Sequence, residues 1–430
     1  MRQPRAACVL TLLALLWLAQ PPAAPAQPYY SIDFQGGSNG LPDGLPSPFF
    51  INEGHILTHL PPGIPPPAPG ILIVAQSPGL GLIAPPAAAV EVDALSLGLE
   101  PQLASQKVFH LYALSVDEFA VGWPGLPAPS ITTEGAASAQ EAAADIYTSP
   151  ILPPGPLGPP PGPHIGGFDG NGLPPFGGPG LNLLEPNPPT LGMPDSGDTL
   201  DALEMEGPLA FPVYFSLDGH HTELLEGLPA NTGTAQANGF VGGDVLVTLA
   251  AGQAPTLYAS AAQLGLDLNG VAPDVDDVDA LAVWDDGDQV YQPATGLYSW
   301  LSGTDMVLYS VRRGSSIISL FDVIQGLPIE EGDVLLPVFD VVDGVPLFDG
   351  VEGDWDPGIF VAAEALGLAT VRSFTAASNG VINPAYGLDL WADDLDALDA
   401  ASHIDPDIFT DDFETGDTSA WSLTVPPLGP

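Results

Sequence analysis

Glu91-Val92-Asp93-Ala94-Leu95, Asp198-Thr199-Leu200-Asp201-Ala202-Leu203, Asp277-Val278-Asp279-Ala280-Leu281 and Asp394-Leu395-Asp396-Ala397-Leu398 are four versions of one phrase. A single Asp-Ala-Leu carries no information. Four copies, each closing the same ordered series of landmarks, define an internal repeat, and a repeat decides the fold before any single element does. The first landmark of each series is an aromatic strand with a serine: Tyr30-Ser31-Ile32-Asp33, Tyr112 to Asp117, Tyr214-Phe215-Ser216-Leu217-Asp218 and Tyr309-Ser310-Val311-Arg312. The second is a short apolar strand: Gly70-Ile71-Leu72-Ile73, Asp145-Ile146-Tyr147, Gly243-Asp244-Val245-Leu246 and Gly332-Asp333-Val334-Leu335. The third is a Leu-Gly-Leu-like turn at Leu80, Leu191, Leu264 and Leu366. Alanine-rich stretches at Ala259 to Ala262 and Ala362 to Ala365 precede the last two turns and predict short helices ending at the glycine.

The units run over 30–95, 112–203, 214–281 and 309–398, the second being the most degraded. Each supplies three or four short strands rich in β-branched and aromatic residues, punctuated by glycine and proline, which predicts an all-β fold. Four such units can close as a small β-propeller or pair as two β-sandwiches. Residues 27–149 hold the first repeat and the start of the second, and 191–402 hold the remainder. Between them, 150–190 contains 14 prolines and 10 glycines. That stretch reads as an extended linker or large surface loop unable to sustain ladder hydrogen bonds. Residues 403–430 form a tail.

Residues 1–26 read as a secretion signal: Arg2 and Arg5, an apolar run from Val9 to Ala19, then Ala24-Pro25-Ala26 as a cleavage site. Pro21 and Pro22 end the apolar run too early for a membrane span, and no later stretch is long and apolar enough for one. Cys8, the chain's one cysteine, leaves with the signal, so disulfides and thiolate chemistry are excluded from the mature protein. With Arg2 and Arg5 removed, Lys107, Arg312, Arg313 and Arg372 face 53 acids, a net charge of −49. Such a surface repels nucleic acid and anionic membranes. A salty habitat, solubility outside the cell and multivalent cation binding all account for it.

Two resemblances bear on these readings. The Asp-Ala-Leu segments, with Val283-Trp284 and Val307-Leu308-Tyr309-Ser310, resemble hemopexin-type propeller blades, which open on an Asp-Ala pair. The match covers two or three residues per unit and lacks that family's closing aromatics and terminal disulfide, so no haem or metal role is carried over. Asp411-Asp412-Phe413-Glu414-Thr415-Gly416-Asp417-Thr418-Ser419-Ala420-Trp421-Ser422 looks like a tail found on many exported bacterial proteins of unknown function, and implies a bacterial secreted or cell-surface setting. It also resembles the opening strand of concanavalin-like jelly rolls.

For chemistry, residues two apart on a strand share a face, so Glu91 with Asp93, Asp277 with Asp279, and Asp394 with Asp396 would present paired carboxylates. Hard oxygen ligands so placed suit Ca²⁺. The competing reading makes them solvated caps before a buried Ala-Leu strand, and Thr199 breaks the pairing in the second repeat. A further acidic run, Asp340, Asp343, Asp349, Glu352, Asp354 and Asp356, reads as a solvated loop. His55 and His59 have helical i, i+4 spacing, but Gly54 and Pro61-Pro62 argue against a helix and no glutamate completes a zinc-protease motif, so these two read, with His110, His164, His220, His221 and His403, as surface residues. A catalytic serine is unique to its site, so the recurrence of Ser31, Ser115, Ser216 and Ser310 predicts a structural hydrogen bond instead. No nucleophile elbow, phosphate loop or distinguished carboxylate pair points to catalysis. The sequence therefore predicts a secreted or surface-associated structural or interaction protein whose partners are cations and a cell-surface polymer. The rival is a glycan-binding protein or glycosidase using Trp123, Trp284, Trp300 and Trp355 as stacking faces.

Mass spectrometry of the protein recovered from culture medium is expected to find an amino terminus near Gln27; an intact Met1 there would refute the signal.

Overall fold

The computed structural model describes residues 28–33, 37–44, 49–59, 71–83, 91–97, 111–117, 120–135, 142–150, 164–173, 177–184, 198–205, 207, 209–218, 233–266, 276–293, 305–339, 354–372 and 392–400. Sixteen strands form four antiparallel sheets of four, arranged as a four-bladed β-propeller. Blade 1 orders β16 (Ala397–Ala400), β1 (Pro28–Ser31), β2 (Ile56–His59) and β3 (Ile71–Ala75). Blade 2 orders β4 (Ala94–Ser96), β5 (Leu111–Ser115), β6 (Ile146–Pro150) and β7 (Ile165–Phe168). Blade 3 holds β8 (Leu200–Met205), β9 (Val213–Leu217), β10 (Val245–Thr248) and β11 (Thr256–Ala259). Blade 4 holds β12 (Val278–Trp284), β13 (Met306–Val311), β14 (Val334–Phe339) and β15 (Trp355–Val361). The signal segment and the 403–430 tail lie outside the described residues.

The Asp-Ala-Leu phrase is the innermost strand of every blade. It opens the blade rather than closing it, so the sequence unit is displaced from the blade by one strand. The last copy therefore crosses the ring to complete the first blade, pairing Tyr30 with Leu398 and Ser31 with Ala397. Ring closure removes the exposed edges an open stack of sheets would carry at its ends.

The register repeats at the centre of every blade. Each recurrent serine lies opposite the alanine of an Asp-Ala-Leu: Ser31 with Ala397, Ser115 with Ala94, Ser216 with Ala202 and Ser310 with Ala280. Three of these serines donate to a carbonyl on the next blade's inner segment: Ser31 to Val92 O at 2.6 Å, Ser216 to Val278 O at 2.8 Å and Ser310 to Leu395 O at 2.7 Å. Ser115, in the degraded copy, instead donates within its own blade to Ala143 O and Asp145 O. All four serines make structural hydrogen bonds, as their repetition implied, and three of them link neighbouring blades.

Each of the four cores lies between two adjacent blades and contains one leucine of the phrase: Leu95, Leu203, Leu281 and Leu398. An apolar residue three positions earlier joins the same core, namely Val92, Leu200, Val278 and Leu395. Residues three apart on a regular strand face opposite ways. Here β8 and β12 carry a β-bulge at Asp201 and Asp279, where the register shifts between Leu200 and Ala202 and between Val278 and Ala280. The extra residue restores the apolar phase and turns the aspartate out of the ladder.

Several expectations are corrected. In the first repeat the third strand is Ile56–His59, not Ile71–Ala75, which is the blade's fourth strand. Gly54-His55-Ile56-Leu57 is thus the counterpart of Gly332-Asp333-Val334-Leu335, with histidine where the other blades have Asp145, Asp244 or Asp333. The Pro/Gly-rich stretch 150–190 does sustain a ladder: Ile165–Phe168 pairs with β6. An outermost strand needs a partner on one side only, and Gly167 is required there because a Cβ would lie 2.5 Å from Leu209 and 3.1 Å from the Ile146 carbonyl. Histidines expected at the surface are buried at His55 and His164. The predicted short helices form, as Ala261–Leu264 and as a 3₁₀ turn at Ala363–Leu366, each ending on a left-handed glycine, Gly265 and Gly367. Leu191-Gly192-Met193 lies outside the described residues.

The turn carbonyls tie blades together in two ways. Tyr30 Oη donates to Leu366 O at 2.8 Å and Tyr309 Oη to Leu264 O at 2.5 Å. At the corresponding Leu80 O the donor is His164 Nδ1 at 2.9 Å, while His164 Nε2 accepts from Ile131 N–H at 3.0 Å. Those partners fix a neutral ring, and burial lowers its pKa from 6.5 to about 4.

Leu281→Ala is expected to cost about 2–5 kcal/mol through loss of packing and the cavity left behind. Ser310→Ala should cost about 1–3 kcal/mol, because Leu395 O would be orphaned. Urea denaturation of both variants checks the two ranges, and no loss in Ser310→Ala would mean that the link is dispensable.

Candidate metal centre

The bulges set the chemistry of the ring axis. Asp201 and Asp279 leave their ladders there, and the same position is held by Asp93 in blade 2 and Asp396 in blade 1. Two residues earlier stand Glu91, Thr199, Asp277 and Asp394. Two residues beyond each recurrent serine stand Asp33, Asp117, Asp218 and Arg312. Backbone bonds place these last two sets side by side: Asp33 N donates to Asp394 O, Asp218 N to Thr199 O and Arg312 N to Asp277 O. Twelve axial positions thus carry ten carboxylates, one threonine and one guanidinium.

Asp33, Glu91, Asp93, Asp201, Asp279, Arg312, Asp394 and Asp396 enclose a small cavity of about 10 Å³, enough for one water-sized particle. Two groups of three carboxylates bring ligand atoms within 4.8 Å of one another: Asp279 with Asp394 and Asp396, and Asp201 with Asp218 and Asp277. In the first group the side chains are buried, with Asp279 5%, Asp394 2% and Asp396 6% exposed. Asp279 Oδ2, Asp394 Oδ1 and Asp396 Oδ2 have no hydrogen-bond partner. The acids therefore do not face water, which removes the solvated-cap reading. Asp394 and Asp396 fall in the same group. Asp277 and Asp279 separate into different groups, because the bulge at Asp279 breaks the alternation that would put them on one face. Glu91 and Asp93 line the same cavity without joining either group.

Burial dominates the electrostatics. It pushes the Asp394 carboxyl from 3.8 up to about 8, against the opposing pull of Arg313. Asp201, Asp279, Asp396 and Glu91 are raised well above their ordinary values, first by desolvation and then by neighbouring carboxylates. Against this the chain places two of its few cations. Arg312 Nη1 lies 2.9 Å from Asp218 Oδ1 and 3.9 Å from Asp201 Oδ2. Arg313 Nη1 lies 2.7 Å from Asp33 Oδ2, and its backbone N–H donates to Asp394 Oδ2 at 2.9 Å. Converging oxygen donors of this kind could hold a hard cation.

The other candidates do not assemble. Asp340, Asp343, Asp349 and Glu352 lie outside the described residues, while Asp356 is buried within blade 4. Asp285, Asp286 and Asp288 cluster on an exposed loop, where they accept local backbone N–H groups. Trp284 packs against the core between blades 4 and 1, and Trp355 rests on Phe339 at a centroid distance of 4.7 Å. Trp123 is 36% exposed, and Trp300 lies outside the described residues. His110, His220, His221 and His403 also lie outside them. Among the described residues no helix is long and apolar enough to cross a membrane. Comparison with protein-family models, curated proteins and solved structures found no match.

The pH response of the metal-free protein follows from the signs. Asp394, with a folded pKa near 8 against 3.8 unfolded, holds a proton in the folded state that the unfolded chain releases, so its contribution is lost as pH rises through 8. His164 acts oppositely, costing stability as pH falls from 6.5 towards 4. Between about pH 7.5 and 8.5, a unit or more above the unfolded histidine value of 6.5, the ring is neutral in both states and the carboxyls decide. In EDTA the melting temperature is expected to fall across that interval, and Asp394→Asn to flatten the slope; a flat wild-type profile would contradict the shift.

Proposed function

We propose that this chain is a non-catalytic structural or interaction protein of the cell exterior whose propeller is pinned at its axis by Ca²⁺. The observation that supports this most directly is the set of buried, hydrogen-bond-free oxygens on Asp279, Asp394 and Asp396. Three converging carboxylates in a low-dielectric cavity must either take up protons or a cation. At neutral pH a divalent ion offsets their mutual repulsion, and Ca²⁺ accepts the irregular, oxygen-only shell on offer, with neighbouring carboxylates, carbonyls or water completing it. Asp279 comes from blade 4, whereas Asp394 and Asp396 lead into the strand that completes blade 1. An ion held among them ties the closing strand to its neighbour.

The absence of disulfides in the mature chain fits this role. A ligand bound by the folded state alone stabilises it by about 2.7 kcal/mol at a hundred times its dissociation constant, comparable to a disulfide bridge. The repeated serines, all committed to structural hydrogen bonds, support a binding protein over a serine hydrolase. A polysaccharide array on the mature protein separates the two readings, since sugar-specific binding with hydrolysis would favour the glycosidase.

Millimolar Ca²⁺ is expected to raise the melting temperature more than NaCl of matched ionic strength. Replacing Asp277 and Asp279 together by asparagine, one from each carboxylate group, should erase most of that excess. Equal stabilisation of the wild type by the two salts would reduce the axial acids to protonated, ion-free groups.

A further inference from the structure

The two carboxylate groups on the axis share two of their three positions, the third being Asp218 in one and Asp396 in the other. Rotation by one blade carries Asp201 onto Asp279 and Asp277 onto Asp394, because Asp201 and Asp279 are the bulged residues of β8 and β12 and Asp277 and Asp394 occupy the same step of the next inner segment. The same rotation carries Asp218 onto Arg312. Blades 1, 2 and 3 place Asp33, Asp117 and Asp218 at that step, and blade 4 alone places a cation there. Its guanidinium turns back onto the earlier group, 2.9 Å from Asp218 and 3.9 Å from Asp201. Asp201 Oδ2, on a side chain 3% exposed, makes no hydrogen bond there, so the arginine supplies charge without satisfying the oxygen as a ligand.

We propose that Arg312 is the resident cation of a second, symmetry-related metal position formed by Asp201, Asp218 and Asp277, so that the axis binds one exchangeable divalent ion where its two carboxylate groups would hold two. The inference rests on reading the Asp279, Asp394 and Asp396 group as a cation position. A guanidinium is the only side chain that stays charged in such surroundings at any working pH. It cannot leave, whereas a metal ion equilibrates with the solvent. Arg312 thus fixes the number of ions taken up and keeps the blade 3–4 junction neutralised when divalent ions are scarce. The junction between blade 4 and the closing strand keeps the open oxygens and answers to the cation supply.

Calcium titration calorimetry on the full chain tests this by counting ions. The Arg312→Gln variant is expected to bind one more Ca²⁺ than the wild type, with a larger gain in melting temperature on adding calcium. Adding Asp201→Asn to that variant should abolish the extra ion, and Arg312→Lys, which retains the charge, should keep the wild-type number. Should Arg312→Gln be unfolded in EDTA, calcium is expected to restore its β-sheet circular dichroism, because the ion takes the arginine's place. A folded Arg312→Gln variant with the wild-type ion count, or an unfolded one insensitive to calcium, would overturn the proposal. A wild type that binds no ion defeats the calcium pin of the preceding section, while a gain of one ion in Arg312→Gln would still uphold the role of Arg312.

Discussion

Repulsion among carboxylates at the ring axis governs this structure. Four inner strands surround a common axis so closely that alanine occupies the same place in each: Ala94, Ala202, Ala280 and Ala397, all buried. Beside those alanines the bulges drive aspartates into the same narrow space. In water two unit charges 4 Å apart interact by about 1 kcal/mol, and by several times more at the effective dielectric of a protein. Ten carboxylates cannot all ionise there uncompensated. Protons, Arg312 and Arg313, or a bound cation must make up the difference, and each choice sets a different dependence on the medium.

The charge distribution elsewhere follows the same economy. Arg372 too is turned inward, half-buried and gripping Asp333 through both terminal nitrogens and Glu364 at 2.9 Å. All three arginines among the described residues are therefore spent on interior acids. Many other acids have backbone work. Asp198, Asp276 and Asp393, each immediately before an axial position, accept the N–H groups of Thr234, Ser316 and Ser38 from the loop after strand two. Asp322 gathers N–H groups from Ile324, Gln325, Leu327 and Ile359. A strongly negative composition thus conceals a large internal population of aspartates that act as hydrogen-bond acceptors for irregular backbone.

Recurrence made the repeat, the blade count and the structural role of the serines legible in the sequence. The axial acids were legible as residues but not as a site. Alternation by two pairs Asp277 with Asp279, and only the bulge, hidden in the three-residue spacing from Val278 to Leu281, explains why they part. Asp33, Asp218 and Arg312 were missed as axial groups although each stands two residues after a repeated serine; the shared offset was the available signal. His55 concealed the third strand of blade 1 because it replaces the aspartate that marks it elsewhere. His164 was unreadable, since its partners, Leu80 and Ile131, are distant in sequence and the bond it makes is supplied by tyrosine in two other blades.

The closing strand has a kinetic consequence. Ser38 and Asp393, bonded near the junction of β1 and β16, are 355 positions apart, so the first blade lacks its innermost strand until almost the whole chain has been made. Blades 2, 3 and 4 can each form from contiguous sequence as synthesis proceeds. Blade 1 must wait with Tyr30 and Leu57 uncovered on one side, and loop closure over that distance is slow to nucleate. During that wait the unpaired edge of β1 is open to any strand that can register with it, including the equivalent strand of another copy.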